Sequence, residues 1–387
     1  MKSKRLAVLD VGSDALTLIV QDLKTKHPNP FLFRKSRIYP GYGDGMFFDE
    51  ESVYDALSGL LRECRIRVGM PNSVLVGVPA EFSTVVCKTL STSFFSRKEI
   101  TDADIDDLLI KGNTYGSHPD YVTLDSAPIY YLLEGGEQTM IPHKRMSGSL
   151  SVCVSYILGA RRFVDFFTAM ASVLNVEFEF TSSVLAEVQH IIPPEIRDEG
   201  TLLLDIGYIS SALAYAKGDG IVHMSSFSFG RGHIAGYIWK YADIPFEHAI
   251  ALTHKLNLNL YPDDNNTYSI AIGNKSFVYK IKMINEIAFY ALSLITGTIK
   301  GILSPSSNIP SSTPILLTGS GLSETIGAKE FISNETVRRV SIIRPGSVLF
   351  DKPAHSSMAA LVAEQHKKFT TKKSFFKRLF TQLRRSK

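Results

Sequence analysis

Cysteine is scarce in this chain: Cys64, Cys87 and Cys153 are the only three in 387 residues. They are widely spaced, odd in number and form no CxxC pair, which excludes a disulfide scaffold and a structural zinc site and points to a reducing compartment. Long apolar runs are missing too. No window of eighteen apolar residues exists, and the most tempting stretch, AFYALSLITGTIKGILS, is broken by Lys300; a membrane would be met from its surface, not spanned. The N-terminal MKSKRLAVLDVGSD places basic residues before an apolar run, but Asp10 cuts that run after five residues. This is too short for a signal-peptide core and reads as the first strand of a folded domain. HExxH and G-x-S-x-G patterns are absent, so His223, His233, His248 and His254 read as surface or lobe-interface residues and not as metal ligands or a triad.

Positive charge is missing from most of the chain. Residues 361–387 hold 9 Lys/Arg and 1 Glu, which leaves 33 basic against 37 acidic residues, net −4, in residues 1–360. A slightly acidic body gives no reason to expect a nucleic-acid partner. At this length, with 44% hydrophobic residues, division into two or more domains is expected.

Two segments repeat one design. Leu6-Ala7-Val8-Leu9-Asp10-Val11-Gly12-Ser13 and Leu202-Leu203-Leu204-Asp205-Ile206-Gly207-Tyr208-Ile209 each read as a buried strand, then Asp, one apolar residue and Gly. Each resumes as a second β-rich run, 16–20 and 212–216, and the later copy closes on the turn Lys217-Gly218-Asp219-Gly220. Two such hairpins 195 positions apart predict a duplicated, two-lobed architecture. Between them, 74–78 reads as a strand ended by Pro79, and 98–110 as a helix capped by Thr101 with Asp104 completing a capping box. With the β-like runs 121–133 and 150–158, residues 80–160 form a small α/β module inserted before a helix at 161–175. Further helices are expected at 182–192, 246–257 and 283–301, a surface linker at 305–313, and a strand and glycine turn at 314–321.

A strand-end carboxylate followed two residues later by glycine has a physical use. The glycine lets backbone N–H groups approach a phosphate, a neighbouring hydroxyl donates a hydrogen bond, and the Asp holds Mg²⁺ through water. Two such turns facing each other would let a nucleotide bridge two lobes, giving Asp10, Gly12, Ser13, Asp205, Gly207 and Ser210 a joint role. The plainer reading is that each D-x-G merely ends a strand; the repetition favours the shared role. The turn Gly319-Ser320-Gly321 is the natural third contact, for base or ribose.

The order of hairpin, inserted module, second hairpin and late glycine turn resembles the actin/Hsp70/sugar-kinase superfamily, and within it the bacterial cell-division FtsA family. LAVLDVGSDALTLIV (6–20) is similar to its first phosphate loop, which brings Asp14 beside Gly12 and Ser13. LLLDIGYISSALAYAKGDGI (202–221) is similar to the second and ILLTGSGLSETIG (315–327) to the adenosine loop. The resemblance extends to VLVGVPA (74–80), KEITDADIDDLL (98–109) and a last core helix at 351–362, and so covers nearly the whole chain. It implies ATP and Mg²⁺ as ligands, with Asp10 and Asp205 positioning Mg²⁺-bound water, at most a slow ATPase. It also implies self-association into filaments, the C-terminal tail of the tubulin-like protein FtsZ as partner, and a place on the cytoplasmic side of the membrane at the division septum. Several positions depart from the family pattern: Ala15 stands for a lysine, Tyr208 and Ile209 for glycines, Ala212 for an aspartate, and Ile250 and Thr253 for a glutamate and a lysine that clasp the nucleoside. Together they predict weakened, altered or absent nucleotide binding.

The tail carries its own signal. Around a helix at ~100° per residue, Phe375, Phe376, Leu379, Phe380 and Leu383 fall within an arc of about 140°, with Lys377, Arg378, Arg384 and Arg385 opposite. Such a helix lies in an anionic membrane surface, each Lys or Arg adding on the order of 1 kcal/mol. A groove on a partner or on the body itself would also accept the apolar stripe, whereas nucleic acid would not need it.

The fold expected is therefore α/β, an actin-like two-lobed duplicated fold with an inserted small α/β subdomain and a C-terminal amphipathic helix. Its parts are 1–79 and 161–200 in the first lobe, 80–160 as the module, and 201–363 as the second lobe, whose outer part lies at about 225–300. A flexible linker follows at 364–373, then the membrane helix at 374–387. The alternatives are a nucleotide-independent scaffold of the same fold, a PilM-like assembly protein, and a small-molecule kinase.

Overall fold

The computed structural model describes residues 5–22, 30–116, 118–260, 265–304 and 308–385, with side chains described as far as residue 370. Its two largest sheets repeat one another. The strand Arg5–Val11 pairs antiparallel with Ala15–Asp22 and parallel with Ser73–Val78; Phe31–Ile38 and Glu177–Ser182 complete the two edges. In the second sheet Thr201–Ile206 pairs antiparallel with Ser211–Lys217 and parallel with Ile315–Thr318, and Gly220–Phe227 and Val340–Ile342 take the edges. Strand order and sense are the same in both, as a duplicated unit requires. The hairpin strands are apolar on both faces because helices cover both sides of each sheet, so their sequences run as near-continuous Leu, Val, Ile and Ala.

Between Ser73–Val78 and the helix Arg161–Leu174 sits the module, an antiparallel sheet ordered Ser83–Glu99, Met146–Ala160, Tyr121–Leu133, Gln138–Thr139. One helix, Asp102–Gly112, covers it with the expected capping box at Thr101 and Asp104, over a core that includes Leu150, Val152, Val154 and Tyr156. The helix Glu50–Val68 escaped the sequence reading, although Asp49 caps it by accepting from the amides of Glu51 and Ser52.

Two helices lie between the large sheets. Ser183–Ile191 packs against the second sheet through Val184, Leu185 and Val188, meeting Leu203, Ala214 and Leu316. The last helix, Ser356–Arg385, packs Ala360, Leu361 and Val362 onto Val8, Ile19 and Leu75 of the first sheet. Gly77 makes this approach feasible, since a Cβ there would stand 2.5 Å from both Leu361 Cδ1 and Ser183 Oγ.

This helix corrects one expectation. The linker proposed for 364–373 is helical throughout. Glu364 and Gln365 are buried, His190 Nε2 lies 2.8 Å from Glu364 Oε2, His366 bonds Gln21 at 2.7 Å, and Lys368 reaches Asp125 of the module at 3.5 Å. Those contacts commit the polar side chains that had suggested a solvated spacer. A second correction concerns His248: it is buried inside the second lobe against Phe277 and bonds Tyr279, so it lies neither at the surface nor at a lobe interface. No described helix is long and apolar enough to cross a membrane.

Candidate functional site

Each hairpin turn is closed in the same way. Gly12 N–H donates to Ala15 O at 3.0 Å and Gly207 N–H to Ser210 O at 3.1 Å. The turns thus project from the ends of matching strands, and the packing of the lobes makes them face. They touch directly, with Ile209 N–H donating to Ser13 Oγ at 3.0 Å. Asp10, Gly12, Ser13, Asp14, Asp205, Gly207, Ser210, Gly319 and Ser320 line one cavity of about 130 Å³. Gly321 stands just behind it, its N–H on Ile206 O at 2.6 Å.

The third turn needs glycine for a reason internal to the protein. Gly319 has φ +88°, and a Cβ on it would stand 2.0 Å from Asp205 Oδ1; a Cβ on Gly321 would stand 2.5 Å from Gly207 O. Here the close approach is of chain to chain, where the sequence suggested chain to ligand.

Charge in the cavity is of one sign. Burial pushes the Asp10 carboxyl up to about 6 against the opposing hydrogen bond from Ser357 Oγ at 2.6 Å, with Asp14 adding to the rise. Asp205 is likewise pushed up to about 6 by burial and by Asp10. Glu187 rises well above the carboxylate range through burial and these two neighbours, and its Oε2 has no hydrogen-bond partner. Asp14 is raised by burial and held back by Arg231. Among the described residues no Lys or Arg lines the cavity. Although four carboxylates share it, no group of three His, Cys, Asp or Glu side chains among the described residues is placed to hold a metal ion.

The cavity departs from the usual arrangement of a phosphate site. Small-molecule sites typically span about 300–1,000 Å³ and use cations or free N–H groups for phosphate. Here the space is about 130 Å³ and its described lining holds acidic side chains but no Lys or Arg. Of the departures noted in the sequence, Tyr208 and Ala212 line the cavity and the others lie beyond it. Ile209 lies against Gly41, where a Cβ would be 2.6 Å from Ile209 Cδ1, and Tyr208 stacks beneath the Arg231 guanidinium at 5.9 Å. Ala212 is buried in the apolar cluster between the lobes, where an aspartate would be desolvated. Thr253 spends its hydroxyl on Ile250 O at 2.7 Å, and Ile250 packs on the second-lobe core. Ala15 begins the second strand, opposite Ile38.

The sequence reading missed Glu187, Glu81, Ser357 and Arg231. A lone carboxylate in the apolar run SVLAEVQHI signals Glu187. Arg231 opens the helix Arg231–Ala242 after Gly230. Of the tail set, Phe375, Phe376, Lys377, Arg378, Leu379, Phe380, Leu383, Arg384 and Arg385 have side chains outside the described ones, and only the helical backbone through Arg385 is on view.

Comparison with known proteins adds the following. No family model matches the chain. The cell division protein FtsA of Streptococcus pneumoniae serotype 2 (strain D39 / NCTC 7466) is 21% identical over 301 residues, 76% of this chain and 64% of that protein, so the match spans less than two thirds of its length. Among solved structures, the PilM-PilN type IV pilus biogenesis complex is similar with a TM-score of 0.60 at 14% identity, covering 94% of this chain and 99% of the other. MreB 5 of Spiroplasma citri bound to AMPPNP is similar with a TM-score of 0.54 at 12% identity, covering 97% and 100%. The ethanolamine utilization protein EutJ of Carboxydothermus hydrogenoformans has a TM-score of 0.52 at 12% identity, covering 93% and 90%. With the repeated sheets and the facing turns, these likenesses identify the architecture: the chain has the actin-like, two-lobed fold.

Proposed function

We propose that this chain is an actin-like adaptor of cell division. It lies peripherally on the cytoplasmic side of the membrane through its C-terminal amphipathic helix, self-associates into filaments and tethers FtsZ through the FtsZ C-terminal tail. The observation that carries the reading is the continuity of the last helix. One element packs between the two sheets at Ala360, Leu361 and Val362, is clamped at Glu364 and Lys368, and runs on into the segment bearing the Phe/Leu stripe and the basic residues. An attachment point built into the core transmits load from a lipid surface to the body without a slack spacer. The likeness to FtsA over 76% of the chain supports the division role. A nucleotide, the ligand class carried by the MreB 5 neighbour, would enter at the facing turns around Asp10 and Asp205; no catalytic step is assigned to it, because the cavity is small and its described lining holds no Lys or Arg.

Sedimentation with liposomes tests the anchor. The full chain pellets with vesicles containing anionic phosphatidylglycerol and much less with neutral phosphatidylcholine, while residues 1–370 and the Phe376→Asp variant stay in the supernatant. Equal pelleting by all three proteins would remove the tail from this role. A second reading, an assembly protein like PilM, is favoured by the likeness of the whole body to the PilM-PilN complex over 94% of this chain. Binding of a synthetic FtsZ C-terminal peptide by the purified chain separates the two, since only the division adaptor needs it.

A further inference from the structure

We propose that this protein latches its own inter-lobe cleft shut, with Glu81 as the bridging group between the lobes. Glu81 lies in the short turn Ala80–Phe82 that follows Pro79 and the strand Ser73–Val78 of the first lobe. Its carboxylate reaches the second lobe at two points. Ser210 Oγ donates to Oε2 at 2.6 Å, and Ser228 Oγ approaches Oε1 at 3.3 Å, while Gly45 N–H of its own lobe donates to Oε1 at 3.3 Å. Asp44 N–H donates to Ser228 Oγ at 3.1 Å, tying a second first-lobe loop to the same hydroxyl.

Of the two hydroxyls that would otherwise be offered to a phosphate, the Ser210 donor is thereby used within the protein and the Ser13 oxygen is held as an acceptor. Ser210 is committed to Glu81, and Ser13 accepts from Ile209 N–H at 3.0 Å. Under the latch lies an apolar seam in which Ala80 of the first lobe and Val184 of the central helix meet Leu203, Ala212, Ala214 and Leu316 of the second sheet. Small side chains at 212 and 214 let the surfaces approach closely. The module adds a third tie: Ile221 N–H donates to Ser155 Oγ at 3.2 Å and Asp219 N–H to Pro128 O at 3.1 Å. A carboxylate accepting several donors makes stronger bonds than neutral pairs do, and this one joins the two lobes. Closure is accordingly a built-in property of the chain and does not wait for a ligand. The inference concerns the cleft alone and stands or falls separately from the adaptor reading.

Amide hydrogen exchange with mass-spectrometric readout, combined with thermal unfolding in millimolar Mg·ATP, tests it on the full chain. In Glu81→Ala the peptides covering 10–14 and 205–213 exchange about tenfold faster than in wild type, as expected for the loss of one charge-assisted bridge. Ser210→Ala, which deletes only a hydroxyl and leaves the fold intact, changes exchange in the same direction, and Glu81→Gln falls between. Wild type gains no thermal stability from Mg·ATP. Exchange in Glu81→Ala and Ser210→Ala indistinguishable from wild type would overturn the latch, and so would stabilisation of wild type by Mg·ATP. Liposome pelleting of the same variants stays at the wild-type level, and its loss would count against the adaptor reading alone.

Discussion

Asp10 and Asp205 keep their protons to about pH 6 because each sits buried beside other carboxyls. An acid that binds its proton more tightly folded than unfolded contributes stability that is fully present below the unfolded value of 3.8 and is lost as pH rises through about 6. At neutral pH these groups therefore cost stability. Asp10→Asn keeps the oxygen that accepts from Ser357 and removes the charge; it stabilises the protein by on the order of 2 kcal/mol at pH 7.5, and the gain disappears toward pH 4. Calorimetric unfolding of the variant and wild type at both pH values checks this, and an equal gain at both would contradict it. The two aspartates were legible in the sequence because each ends a strand in a repeated pattern. Glu187 was not, since its significance depends on a neighbourhood that only the packing of the Ser183–Ile191 helix creates. Glu81 was hidden for the same reason: its partners Ser210 and Ser228 lie 129 and 147 positions away.

Among the elements, the last helix departs most from what its sequence suggested. EQHKKFTTKK has little to bury, but the helix runs through it because Glu364, His366 and Lys368 each find a partner on a different part of the body. Burial raises the Glu364 carboxyl, but the hydrogen bond with His190 and the Lys367 and Lys368 cations outweigh it, so the group titrates below the ordinary glutamate range. Its contribution is present above the ordinary value of 4.5 and fades as pH falls below it. Glu364→Gln lowers stability at pH 7 by about 1–2 kcal/mol and speeds amide exchange over 362–370; unchanged exchange there would return that stretch to the status of a loose spacer. The contact of this helix with the first sheet is equally specific. Gly77→Ala destabilises by about 1–3 kcal/mol through collision with Leu361 and Ser183, measurable as a lower denaturation midpoint. The two hairpins, by contrast, were plain in the sequence. A buried strand, Asp-x-Gly and a second buried strand leave few other folds open, and local apolar runs of that length need no tertiary information. The module helix announced itself by its capping box; Glu50–Val68 was overlooked although Asp49 caps it and Val53, Leu57, Leu60, Leu61 and Cys64 recur at helical spacing.

At the scale of the whole molecule, the same duplication that makes an actin-like body also makes a cleft, and Tyr208 and Ala212, two residues that depart from the nucleotide-binding pattern, line it. Tyr208 and Ile209 replace open backbone with side chains, Ala212 joins the apolar seam, and Glu81 bridges the lobes. If the latch holds as proposed, the body moves as one block. The distance between the lobes tests this directly. Spin labels at Ile38→Cys in the first lobe and Val278→Cys in the second, 86% and 60% exposed as native residues, in a Cys87→Ser, Cys153→Ser background, report that distance by pulsed electron resonance. One narrow distribution, unchanged by Mg·ATP and broadened by Glu81→Ala, is the predicted result. A distribution already broad in wild type, or one that narrows or shifts when Mg·ATP is added, would contradict a cleft closed by the chain itself.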